Sequence, residues 1–598
     1  MIHDNDFLPW KELSCQNMVK EVSAQTDFIP TAHVPLSNVS SVPQRTSLIN
    51  KVRESKKFFP GVLFYPRDIP TSLTALEHAR CLNALKLYQS GVPLNTLNKA
   101  QQEDVEIYKT LQSKIQEEHA KFLDYVRKDW QNSEWRLEDI KIVFYNYAHS
   151  LWKLKLRKAL TYSRFYKLHK DVRLVQDDAD HLITKVVIEK NVLSFGAPTT
   201  FACPTLVSKC VLKITQLPTF EAKYTYNSKL PVSQDANVIG ILKTHDVDVV
   251  ISMSGIKRLM DDSDHNKVWS IPFVVKETNN GRTSKNVVYI DKPLPLQCPT
   301  KPDFVEQCHK RLLRTNFCVE TAEVVNNLEE KIPNFYHSNM SPSDTKNVYG
   351  PCACNYSIWN IHRNSEGNVL LKTRTEEKNI KFLLRQKIDT YEHLPDGNKR
   401  PIILTPKLEY QIEHGASICT KHELVRQWAD LFFRPFSQLY RVRIKADNSE
   451  VVHIEGVPMQ KINMEAMQHY QYKPHERLGA LFTIFSQLTT LEQGNYVLRH
   501  SGRTGAFGEI LKETSELDGN VKLDLHKEYS AGNCSVKTAR NRPWCPIDVN
   551  YVLHVHSVSK RMPGMFKYFQ GRVTNLKKNK KQKKKNGRTG NKAPPEKR

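Results

Sequence analysis

Few residues of this chain stand at spacings that chemistry needs. His554-Val555-His556, read as part of a strand over residues 549–556, would point two imidazoles to one face, as a metallohydrolase presents a ligand pair. No carboxylate or further His stands at a companion position, so a structural pair is expected. Cys352-Ala353-Cys354, and Cys203 with Cys210, offer thiolates without a second Cys or His pair at finger or ribbon spacing. Gly502-Arg503-Thr504-Gly505-Ala506-Phe507-Gly508 follows a strand but fits neither a dinucleotide fingerprint nor a phosphate loop, and reads as a hairpin turn. Asp261-Asp262 falls in a polar turn, where solvation accounts for two adjacent carboxylates. A nucleophile elbow, a zincin helix and the kinase signatures are missing. The expectation is a chain that is not an enzyme, with no catalytic residue, no cofactor and no metal site.

The densest chemistry is at the carboxy terminus. Lys577, Lys578, Lys580, Lys581, Lys583, Lys584 and Lys585 form a run with no apolar residue to fold around, so mutual repulsion keeps it extended. The last 28 residues hold nine Lys, three Arg and one Glu, a net +11 out of +25 for the chain. Such a cluster suits the acidic groove of a nuclear import receptor; it also suits phosphate backbones through counterion release, or simple solubilisation. Lysine lacks the bidentate geometry that reads bases, so sequence recognition is not expected.

With 598 residues, 39% hydrophobic and 9% aromatic, the chain has material for real cores, which excludes wholesale disorder. No stretch approaches the roughly 18 uninterrupted apolar residues of a membrane span. The start, Met1-Ile2-His3-Asp4-Asn5-Asp6, is acidic where a signal peptide is basic. Cytosolic or nuclear residence is expected, without membrane contact, and the twelve cysteines imply no disulfide framework.

The elements that would position these residues fall in an order. Residues 1–58 read as a mostly disordered arm. A helical unit over 59–175 begins with Thr71-Ser72 capping a helix to Gln89, continues from Gln101 with Val105, Tyr108, Leu111, Ile115, Phe122 and Val126 at helical spacing, and closes with a helix from Leu137 to His169. A β-rich unit over 176–297 has short β-branched runs such as 182–188, 209–214, 247–251 and 286–290, with one helix at Ser254–Met260. Residues 298–350, helical around Phe304–Arg314, form the linker. A mixed domain over 351–568 has strands at 356–362, 369–373, 407–413, 440–445, 451–454, 496–500 and 549–556, and helices at 420–433 and 476–489. A disordered Lys-rich tail covers 569–598. The fold class is α+β.

Five segments occur in an order that resembles a known family: Tyr65-Pro66-Arg67; Tyr162 to His169; Pro406-Lys407-Leu408-Glu409-Tyr410-Gln411 with Gly415 and Glu423 to Trp428; Leu491 to His500; and Pro543-Trp544-Cys545-Pro546-Ile547-Asp548. The chain resembles the little elongation complex subunit 2 family, also described as NMDA receptor-regulated, over roughly residues 60–300 and 350–568. The resemblance implies a subunit without catalysis in a nuclear assembly with an ELL-type elongation factor and a scaffold subunit. That assembly supports small nuclear RNA gene transcription by RNA polymerase II, which the chain would meet indirectly. The alternative is a nuclear protein that binds RNA or DNA through its basic tail. Trp544, fixed between two prolines, is expected to plug the core rather than anchor a partner. In the helix capped by Thr420 and Glu423, Leu424, Trp428 and Leu431 should face inward, with Arg426, Gln427 and Asp430 nearer the outside.

Overall fold

Apolar residues at three- and four-residue steps build the first layer. In the computed structural model, which describes residues 69–90, 94–132, 141–175, 183–195, 199–204, 210–213, 230–261, 268–279, 284–319, 353–364, 379–515, 518–530, 532–537 and 544–568, this layer is α1 (Ala75–Ser90), α2 (Lys99–Thr110), α3 (Gln112–Asn132) and α4 (Ile142–Ala159). Thr74, rather than Thr71 or Ser72, closes the start of α1: its hydroxyl accepts from the Glu77 amide at 3.3 Å, and its own amide donates to the Glu77 carboxylate at 2.7 Å. Thr71 and Ser72 donate to Glu118 of α3 instead. The expected arm, the segment 65–67, the strand at 369–373 and the tail with Lys577–Lys585 lie outside the described residues.

The predicted helix to His169 stops early, because residues beyond Ser163 find strand partners more than 300 residues away. β1 (Phe165–Arg173) opens the β-rich part; β2 (Ile183–Phe195), β3 (Thr199–Phe201), α5 (Ala236–Leu242), β4 (Val249–Ser252), α6 (Met253–Met260), β5 (Trp269–Asn279) and β6 (Ser284–Ile290) follow. α7 (Lys301–Phe317), opened by a capping box between Thr300 and Asp303, occupies the start of the expected linker and buries Phe304, Cys308, Leu312, Leu313 and Phe317. β7 (Cys318–Val319) ends that stretch.

The rest comprises β8 (Ala353–Asn364), β9 (Asn379–Ile388), β10 (Thr390–His393), β11 (Lys399–Glu409), α8 (Lys421–Phe432), β12 (Gln438–Lys445), β13 (Val451–Val457), α9 (Met459–Tyr470), α10 (Arg477–Leu488), β14 (Gly494–His500), β15 (Phe507–Glu513), β16 (Val521–Asp524), α11 (Leu525–Glu528) and α12 (His554–Ser559). The expected strand at 549–556 is therefore absent. Its alternating Tyr551, Leu553 and Val555 pack as a coil and helix start onto Ile412, Ala416 and Val452.

Two mixed sheets carry the fold, which is α+β. The larger runs β16-β1-β15-β14-β5-β6-β4-β9-β8-β2, with β4 parallel to both β6 and β9 and the remaining pairs antiparallel. The smaller runs β13-β12-β11-β10-β3-β7. In the larger sheet strands from before residue 300 are interleaved with strands from after residue 350, and in the smaller sheet β3 pairs with β10, so the two parts of the chain share one hydrogen-bonded framework. One apolar cluster joins the sheets: Val249, Ile290 and Phe382 from the larger, Ile403, Leu439 and Val457 from the smaller, with α6, α8, α9 and α10 supplying residues such as Ile256, Trp428, Ile462 and Phe485.

The first helices pack against the last described segment. Phe122 and Val126 of α3 meet Ile547 and Phe566, with half-buried Trp544 beside them and its indole N–H donating to Gln411 at 3.2 Å. Trp544 is thus part of the core. Glu118 accepts from the Phe566 amide at 2.8 Å and His78 from the Met562 amide at 3.2 Å, tying helix 75–90 and helix 112–132 to the carboxy-terminal segment.

Candidate functional site

A cavity of about 140 Å³ opens where the turn after α4 meets β5, β14 and the segment before α5; Tyr162, Ser163, Gln234, Lys276, Asn495 and Tyr496 are on its wall. Two of the five segments that carry the family resemblance, 162–169 and 491–500, meet here. Asp291, just past β6 and 1% exposed, also lines the cavity. One of its oxygens accepts from the Val232 amide at 2.6 Å and the other from the Tyr162 hydroxyl at 3.3 Å. Burial raises its carboxyl to about 6, against the lowering effects of the Val232 amide and the Arg385 guanidinium.

A second carboxylate backs this one. Asp235 is fully buried, caps α5 through the Asn237 amide at 3.0 Å, and accepts from Tyr356 Oη and Arg385 Nη1, both at 2.9 Å. The other Arg385 nitrogen donates to the Leu230 carbonyl at 2.9 Å. Every carboxylate oxygen of this constellation has a donor. The cavity is well below the roughly 300–1,000 Å³ of an ordinary small-molecule site. It has room to order water or to admit one small polar group between aromatic rings.

The sign of a pH effect follows from Asp291. Its folded pKa, about 6, lies above the ordinary 3.8, so between about pH 4 and pH 6 the unfolded chain releases the proton first and stability falls as pH rises. Asp291→Asn removes the ionisation, so the variant should gain on the wild type over that window by up to about 3 kcal/mol and keep the gain at pH 7. Unfolding curves at pH 4, 5, 6 and 7 check this; a variant-to-wild-type difference that stays flat with pH contradicts it.

A third group of charges lies in the smaller sheet. Lys407 pairs with Glu423 at 2.8 Å, Arg441 with Glu465 at 2.8 Å and with Glu455 at 3.6 Å, and Arg443 with Glu409. Arg443 also donates to the Ser417 carbonyl at 2.9 Å and lies 4.1 Å over the Tyr551 ring. Glu423 thus serves the Thr420 capping box and a buried ion pair together. Gly415 takes φ +138°, and a Cβ there would lie 2.8 Å from Ile547. Lys407, Glu409, Gly415 and Glu423 all belong to the third resembling segment, which therefore encodes an interior ion-pair network. The readable signal was Arg441-Val442-Arg443, two cations on one face of a strand flanked by apolar residues.

The other sequence candidates disperse. His556 does not share a face with His554, since two residues along a helix do not point together; its Nδ1 accepts from the Leu553 amide at 2.9 Å, and burial lowers it to about 3. Cys352 is outside the described residues, Cys354 is buried in β8, and Cys203 and Cys210 are half-buried in loops. Among the described residues no three His, Cys, Asp or Glu side chains are grouped to hold a metal ion, and no helix is long and apolar enough to cross a membrane. The glycine-rich segment is the loop of the hairpin between β14 and β15, with Gly505 at φ +57°. Asp262 is outside the described residues. Asp261 is not solvated as expected: its side chain is 2% exposed and paired with His422 at 2.5 Å. Leu424 and Trp428 face the core, but Gln427 and Asp430, expected outside, are buried as well, because Arg441 donates to Gln427 at 2.8 Å and Lys257 pairs with Asp430.

Residues 347–568 match the family described as the NMDA receptor-regulated gene protein 2 C-terminus. Little elongation complex subunit 2 of Bos taurus is 26% identical over 211 residues, 34% of this chain and 21% of the relative; the Homo sapiens protein is 25% identical over 210 residues with the same coverage. The matched segment thus spans about a fifth of these subunit 2 proteins. Of the smaller sheet's charges, Lys407, Glu409, Glu423, Arg441, Arg443, Glu455 and Glu465 all fall inside the family region, whereas Asp235 and Asp291 precede it.

Among solved structures, Scheffersomyces stipitis Rai1 in complex with (3′-NADP)+ and calcium ion aligns over 61% of this chain and 97% of its own, at 11% identity and a TM-score of 0.34. K. lactis Dxo1 in complex with manganese aligns over 58% and 99%, at 11% identity and a TM-score of 0.32. Against these alignments the expectation that the chain is not an enzyme is withdrawn. The TM-scores carry no activity across to this chain.

Proposed function

We propose that this chain is a subunit of a nuclear transcription assembly of the little elongation complex kind. In this reading it works beside an ELL-type elongation factor and a scaffold subunit and supports small nuclear RNA gene transcription by RNA polymerase II, which it meets indirectly. The match of residues 347–568 to the family region carries the reading, and the names of the curated relatives support it. The test is purification of the tagged full-length chain from nuclei with quantitative identification of what accompanies it. Enrichment of the ELL-type factor and the scaffold together is the expected result; a preparation containing neither overturns the proposal.

The tail supplies entry to the nucleus in this reading. Lys577, Lys578, Lys580, Lys581, Lys583, Lys584 and Lys585 engage an import receptor, and deletion of residues 571–598 should shift the protein to the cytoplasm while leaving its unfolding temperature unchanged. Undiminished nuclear accumulation of the truncated chain removes the import role. A second reading, direct RNA or DNA binding, rests on the net +11 of the same segment. It requires that affinity for a duplex or single strand drop by on the order of a thousandfold between 50 and 200 mM salt, and that deletion of the tail abolish it.

A further inference from the structure

Six cations from four parts of the chain gather around Asp389 and Asp430: Lys257 on α6, Lys310 and Arg314 on α7, Lys387 on β9, Arg426 on α8, and Arg434 just beyond α8. Two carboxylates face them. Asp430 pairs with Lys257 and Arg434, and Asp389 pairs with Arg314 at 2.7 Å and with Lys387 at 3.3 Å. Four positive charges remain without a counter-charge in the group. Lys310 and Arg426 make no hydrogen bond or ion pair with the described residues, and both are half-buried. Among the described residues the buried Nε atoms of Arg314 and Arg434 have no hydrogen-bond acceptor, and Asp389 Oδ1 has no hydrogen-bond donor.

Cations gathered out of water repel one another and lose hydration, which a fold tolerates when something negative completes the set. The strain registers on Lys310, whose ammonium is lowered to about 8 by burial and by Arg314 and Arg426. A phosphodiester backbone needs a track of charges along a groove. Here the charges meet at one point, and half of them are guanidinium forks suited to tetrahedral oxygens.

We propose that this cluster binds the phosphate of a phosphorylated side chain on a partner protein, with Lys310 and Arg426 making the direct contacts and Arg314 and Arg434 behind them. A phosphomonoester brings close to two negative charges and three acceptor oxygens at neutral pH, which matches the uncompensated donors. This inference does not depend on which assembly the chain enters.

The experiment uses the full-length chain and its Lys310→Met/Arg426→Gln variant, with inorganic phosphate as the first probe at constant ionic strength. Wild type should show a saturable rise in unfolding temperature with phosphate, and the variant none. In phosphate-free buffer the variant should be at least as stable as wild type, because it loses two unmatched charges; a less stable variant shows that the two cations are structural and overturns the proposal. In the second arm, a degenerate library of peptides with one central phosphoserine should bind wild type at least tenfold more tightly than the unphosphorylated library. That preference should vanish in the variant and be partly kept by Arg426→Lys, which holds the charge without the fork. A phosphopeptide preference that survives the double substitution, or a loss confined to a single-stranded oligoribonucleotide, also overturns it.

Discussion

Glu409→Ala is expected to destabilise the fold by roughly 3 to 5 kcal/mol, because it leaves the Arg443 guanidinium buried without its counter-charge. The Arg443 side chain is 2% exposed and that of Glu409 fully buried, so water cannot take the lost partner's place. Glu409 also accepts from the Ser417 amide at 2.9 Å and its hydroxyl at 2.8 Å, which pins the loop between β11 and α8. That loop in turn holds Ile547 through the bridge at Ser417. The decisive comparison is with Glu409→Leu/Arg443→Met: a buried pair replaced as a unit by apolar side chains should recover most of the loss. Urea midpoints of the single and double variants measure it. Losses that simply add across the two sites would mean that the pair does not act as one.

Trp428→Ala should cost a similar amount, roughly 3 to 5 kcal/mol, through the cavity left by a large ring in a core that cannot close around it. Trp428 is 3% exposed and stacks on Phe432 with centroids 4.6 Å apart and planes 11° from parallel. Phe432 in turn meets Trp359 of β8, so the ring belongs to the cluster that joins both sheets. The loss should therefore appear in probes of the whole fold, amide exchange in the larger sheet included. Exchange that quickens only near residues 421–432 would show that α8 melts alone and would contradict the shared core.

Helix 421–432 was the most legible element because its signals are local. Thr420 and Glu423 cap it within one turn, and Leu424 and Trp428 are a turn apart. The errors arose where a polar residue is buried by a distant partner. Gln427 and Asp430 look like a solvated face until Arg441 and Lys257 are brought to them by the sheets. β9 escaped notice for the same reason: Lys381, Arg385 and Gln386 interrupt its apolar run, and Asp235, 150 residues earlier, with the Leu230 carbonyl makes Arg385 tolerable inside. The cavity beside Asp291 was invisible as a site, although the segments around Tyr162 and Asn495 that wall it were singled out for their family resemblance. Helix 459–470 begins at Pro458 with no side-chain cap, so nothing local announced it. The strand expected over 549–556 had the right alternation, yet its apolar residues pack onto Ile412, Ala416 and Val452 without joining a sheet.

The interleaving of the larger sheet sets the timing of synthesis. β5 leaves the ribosome with β6 as a partner on one edge, but its other edge waits for β14, about 200 residues later in the chain. At roughly 5–20 residues per second that interval is on the order of 10 to 40 s. Throughout it the outer edge of β5 in a nascent β5–β6 hairpin has no strand to pair with, and β4, already beside β6, waits for β9 on its other edge. The first half of this protein therefore emerges as a client for chaperones, and its folding is completed only after most of the second half has been made.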